Sequence, residues 1–109
     1  MTNRMEFNKG LAECCGLRES VLATYLWDLL VRDLEAEERH GRYWTRISQR
    51  MITVALPFMT VDMVQGSLNK LLKKGIIKTA VFNEDKFDHT NWYAFTDYGI
   101  EMMDPGNFA

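Results

Sequence analysis

The chain has 109 residues, a net charge of −2, 47% hydrophobic and 26% charged residues, which predicts one soluble globular domain with a single core. No apolar run approaches the roughly 18 residues of a membrane-spanning helix. The opening MTNRMEFNKG has no apolar stretch or small-residue cleavage site, which argues against secretion and for a cytoplasmic protein.

In chain order, Asn8 suits the cap of a short helix, Lys9–Cys15, that Gly16 stops. Cys14 and Cys15 are adjacent, and a disulfide between neighbours is strained. The two histidines, His40 and His89, stand far from them and from each other. Two reduced thiols in or near the core are therefore expected, not a zinc site. Residues 19–38 read as one long helix, because ESVLATYLWDLLVRDLEAEE holds no Gly or Pro and ends before Gly41. His40 then falls at a helix end. The apolar residues of this segment, from Val21 to Leu34, cover more than half the circumference. So wide a face predicts a second helix packed on it. That partner is either the short first helix or the same helix of another subunit, which would make a homodimer through 19–38.

Arg42–Arg46 (RYWTR) has the aromatic and β-branched residues of a short strand. Ser48 can cap a helix over Gln49–Ala55, which Pro57 ends. Thr60 caps the next helix, Val61–Lys74, stopped by a left-handed Gly75. There Val64, Leu68 and Leu71 recur at i, i+4 and i+7 and form the inward stripe. Ile76–Phe82 and Trp92–Thr96 read as a hairpin around a long polar loop, residues 83–91 (NEDKFDHTN). Asp97–Met103 can form a last short helix before Pro105. The fold class is mainly α with a small antiparallel sheet. The order from residue 41 onward, strand, helix, turn, helix, strand, loop, strand, is that of a winged helix-turn-helix. Residues 16–40 form its N-terminal helical part and 41–98 the helix-turn-helix and wing, within one domain spanning 1–109.

Charge is unevenly spread. Residues 42–78 carry a net +6, seven Lys or Arg against Asp62 alone, while 1–41 sum to −3 and 79–109 to −5. The basic charge thus lies on the helix-turn-helix, the footprint of a phosphate-binding surface.

A set of residues here also carries a family resemblance. Gly41, Tyr43, Trp44 and Ser48 lead into Leu56, Pro57, Phe58 and Thr60. Leu68, Leu71, Gly75, Ile76 and Ile77 follow, and then Thr90, Trp92, Tyr93 and Thr96. Over roughly residues 17–98 this resembles the winged-helix domains of phage replication-initiation and replisome-organiser proteins. The resemblance implies that helix 61–74 reads duplex DNA, with Val61, Asp62, Gln65, Gly66, Asn69 and Lys70 at the reading positions. This chain departs from the family there. Gln65 and Gly66 stand where basic residues are common, Asp62 opposes phosphate, and the wing holds Glu84, Asp85 and Asp88 against Lys86.

The expected function is DNA binding in replication initiation or transcription regulation, without a cofactor. The candidate DNA contacts are Arg46, Ser48, Arg50, Thr60, Gln65, Asn69, Lys70 and Lys73, with Lys86 and His89 in the wing. Gln65 and Asn69 can pair bidentately with adenine. The alternative is a protein-interaction module on the same scaffold. No nucleophile–base arrangement, phosphate-cradling glycine loop or metal-ligand cluster is legible, so no catalytic residue or metal is expected.

Overall fold

Side-chain caps set the helix starts, and the expected ones are present. The computed structural model describes residues 7–32, 36–82 and 90–103. Helix α1 (Lys9–Cys15) begins where the Asn8 carboxamide oxygen accepts the Leu11 N–H at 3.0 Å. Helix α3 (Gln49–Ala55) is capped by Ser48, α4 (Val61–Lys73) by Thr60 and α5 (Asp97–Met102) by Thr96. Asn8 does more than cap. It is fully buried, its N–H donates to the Ser20 hydroxyl, that hydroxyl donates back to the Asn8 carbonyl, and its Nδ2 donates to the Met102 carbonyl. One residue therefore ties three helices together, its backbone bonding helix α2 (Leu17–Arg32) and its carboxamide bonding α1 and α5. A buried amide tolerates such a site only because its donors and acceptors find partners.

The strands are β1 (Glu37–Arg39), β2 (Arg42–Arg46), β3 (Ile77–Ala80) and β4 (Trp92–Phe95). They form one antiparallel sheet in the order β1-β2-β4-β3. All four residues of β4 are buried, because both of its faces are covered. Tyr93 and Phe95 face the main core, built on Leu11, Leu22, Leu26, Ile52, Val64, Leu68 and Leu71. Trp92 and Ala94 face the other way and pack with Trp44, with Phe82 against them. The alternation is the period of two of a β-strand. Gly75 closes α4 with φ of 74°, as its left-handed role requires. The protein is thus mainly helical with a small antiparallel sheet, and Trp44, Leu68, Leu71, Ile77 and Trp92 are buried. Among the described residues no helix is long and apolar enough to cross a membrane.

One segment corrects the sequence expectation. The helix expected over 19–38 is described from Leu17 to Arg32, and Glu37–Arg39 is a strand paired with β2. His40 is not a helix end. It and Gly41 both take positive φ, 56° and 79°, between the paired Arg39 and Arg42. A two-residue hairpin of type I′ requires that backbone. Tertiary contacts override the helical preference of the acidic run. The Arg39 carbonyl accepts the Trp44 indole N–H at 3.1 Å, and the Arg39 guanidinium lies 4.9 Å from the Phe82 ring centre and 5.6 Å from that of Trp92. Strand β3 is also shorter than the expected 76–82, ending at Ala80.

Helix α1 packs on α2, burying Leu11 and Cys15, and Trp27 of α2 meets Phe95 edge-on at 5.2 Å. These contacts cover part of the wide apolar face. Leu29 and Leu30 stay half-buried and Val31 is exposed. Both thiols are free, Cys14 exposed and Cys15 buried. Burial, then the adjacent Cys14, pushes the Cys15 thiol up to about 11, so it stays protonated at neutral pH.

Candidate nucleic-acid interface

The helix pair α3–α4 is joined by a tight turn held from inside. Pro57 and Phe58 are exposed, while Leu56 and Met59 are buried beneath them. The Ser48 hydroxyl accepts the Met51 N–H at 3.2 Å, and the Thr60 hydroxyl accepts the Met63 N–H at 3.1 Å. Both predicted contact hydroxyls are thus helix caps. Helix α4 buries Val64, Ser67, Leu68 and Leu71. At about 100° per residue, the opposite face stacks Asp62, Gly66, Asn69 and Lys73, all exposed. That stripe offers an acid, a gap, an amide and a base.

The two flanks of the stripe differ. On the α3 side, Gln49 Nε2 donates to Gln65 Oε1, and Gln65 Nε2 donates to Asn69 Oδ1 at 2.9 Å. Three amides form a chain across the two helices. On the α2 side, Lys70 Nζ stands 3.7 Å from Glu19 Oε1. The Glu19 side chain is only 11% exposed and also accepts the Ser67 hydroxyl at 2.6 Å. Glu19 sits in the first turn of α2, where a carboxylate is favoured by the helix dipole. Gly16 makes room for it. A Cβ there would lie 2.5 Å from Glu19 Oε1, and its φ is +113°. Lys70 is therefore held toward α2 at one edge of the stripe.

Arg42 is also engaged inside the molecule. Its guanidinium donates to the Phe95 carbonyl at 3.0 Å and to Asp97 Oδ1 at 2.7 Å. Among the described residues, Lys70 and Arg42 thus have carboxylate partners on other elements. Arg46, Arg50, Lys73, Lys74 and Lys78 are exposed. Lys73 and Lys74 close α4, where cations suit the helix C-terminus.

The loop expected as the wing contains residues 83–89, so Lys86, His89 and the acidic Glu84, Asp85 and Asp88 lie outside the described residues. Its roots are described. On one side Phe82 packs edge-on against Trp44 at 5.0 Å and Trp92 at 5.9 Å. On the other, the Asn91 carbonyl accepts the Ile47 N–H at 3.3 Å. A cavity of about 210 Å³ between Ile47, Ser48, Gln49, Thr90, Asn91 and Tyr93 lies against this root. A polar strip therefore runs from Asn69 through Gln65 and Gln49 to Asn91. The sequence reading missed Gln49 and Asn91 as members of this surface. Gln49 directly follows the cap Ser48, which puts it on the first turn of α3. That position was the available signal.

The strip can donate and accept hydrogen bonds, and its flanking cations can meet phosphate. No protein-family model, no curated protein and no solved structure matches this chain.

Proposed function

We propose that the protein is a winged-helix DNA-binding domain that sets α4 in the major groove of duplex DNA, with the loop after β3 as its wing. The observation that carries this reading is the amide strip from α4 to the loop root, flanked by Arg50 and Lys73. Helix, turn, helix and hairpin follow in the order that presents one helix and one loop to a duplex. Strand β2 beside β4 ties the hairpin to the strand that precedes α3. The resemblance to phage replication-initiation domains suits a role in replication initiation or transcription regulation. Pairing of two copies through α2 would set two such faces on neighbouring half-sites. Sedimentation would then give twice 12.7 kDa, and a monomer at about 100 μM, where weak association is visible, refutes the pairing.

A second reading rests on a specific observation. Met51, Val54, Phe58 and Val61 are exposed on α3, the turn and the start of α4. An apolar surface of this kind suits a protein partner. Titration of duplex DNA at low salt separates the two. Binding supports the first reading, and a folded protein that binds no duplex supports the second.

A further inference from the structure

Two features at the outer side of the α3–α4 pair lie outside the hydrophobic core. The first is the amide chain Gln49–Gln65–Asn69, whose members are exposed or half-exposed. The second is Gly66. It lies in the middle of α4, is exposed, and a Cβ added there would meet nothing within 4 Å. A mid-helix glycine weakens a helix relative to alanine, and here no neighbour among the described residues needs the space.

Resting on the DNA-binding reading, we propose that Asn69 reads an adenine in the major groove, that Gln49 and Gln65 orient it, and that Gly66 lets the base edge approach α4. In the structure the chain runs from Gln49 to Asn69. Gln49 donates to Gln65, and Gln65 donates to Asn69. In this arrangement the Asn69 oxygen is the acceptor, and turning its amide over alone would forfeit the Gln65 bond. The oxygen keeps a second lone pair and Nδ2 keeps both hydrogens. Adenine offers in the major groove an N6–H₂ donor and an N7 acceptor, which match that oxygen and that nitrogen. Guanine presents two acceptors there and would leave the oriented oxygen facing another oxygen. Asn69 and Gly66 share the outward stripe, three residues apart, so the gap lies one turn from the reading amide. Gln49 touches no base in this arrangement and is a positioning residue.

The test begins with selection of bound sequences from a random duplex pool at low salt. One position enriched in adenine is expected. The selected duplex is then titrated with that adenine intact and replaced by 7-deazaadenine, which lacks the N7 acceptor. Wild type should lose about 3- to 10-fold in affinity, the value of one hydrogen bond. Asn69→Ala should lower the preference for adenine by about 5- to 150-fold and be indifferent to 7-deazaadenine. Gln49→Ala should lose most of the 7-deazaadenine response, which a purely structural role would leave intact. Duplex binding without an enriched adenine, or a Gln49→Ala variant with the full 7-deazaadenine response, overturns the inference and leaves the DNA reading standing. Retention of no duplex at all overturns both.

Discussion

Replacing Gly66 with alanine should strengthen the fold and weaken the function. Glycine in a helix interior is about 0.8–1.0 kcal/mol less favourable than alanine. At Gly66 the added methyl meets nothing within 4 Å, so no clash offsets the gain. Unfolding entropy near 2.1 cal/mol/K per residue gives roughly 0.23 kcal/mol/K for a chain of this length, so Tm should rise by about 4 °C. Against DNA the same methyl stands where a base edge is proposed to approach. Overfilling a fitted surface costs about 1–3 kcal/mol, which is about 5- to 150-fold in Kd. Thermal melting by circular dichroism and titration of the same sample with duplex DNA read both effects. A Gly66→Ala protein that melts higher and binds as well as wild type refutes the close approach. A lower Tm refutes the claim that no described residue needs this glycine.

Two further outcomes follow from the packing and the charges. Asn8→Ala should cost about 2–4 kcal/mol, because it removes a helix cap, with the bond to the Leu11 N–H, and the bond that Nδ2 makes to the Met102 carbonyl. Urea unfolding checks this, and a change below about 0.5 kcal/mol, the size of an ordinary surface substitution, refutes the role of Asn8 as a knot. Lys73→Ala should reduce the salt slope of DNA binding by about one, whereas Lys70→Ala should reduce it less, because Glu19 already holds that ammonium. Equal slopes for the two variants would contradict the division of α4 into an outward stripe and an α2-facing edge.

Much of the fold was legible because its punctuation is local. Asn8, Ser48 and Thr60 each cap a helix, and Gly16 and Gly75 each stop one, through contacts within a few residues. The inward stripe Val64, Leu68 and Leu71 was legible from spacing alone. Glu37–Arg39 was not. Its residues favour helix over strand, and the forces that make it a strand come from β2, Phe82 and Trp92. The candidate surface divides the same way. Ser48, Gln65 and Asn69 were legible from their helix positions. The engagement of Lys70 by Glu19 and of Arg42 by Asp97 links residues more than fifty positions apart, and net charge along the chain carries no trace of such pairs. The share of Gln49 in the amide chain depends on how α3 crosses α4, which no spacing rule supplies.

DNA binding by this surface is tested by salt titration of duplex binding. If four cations of one copy, such as Arg46, Arg50, Lys73 and Lys74, meet phosphates, log Kobs falls against log salt with a slope of about −3.6. Saturable binding at low salt with that slope is expected for wild-type protein whose fold is verified by circular dichroism. A folded protein that binds no duplex at low salt, or binds with a slope near zero, contradicts it.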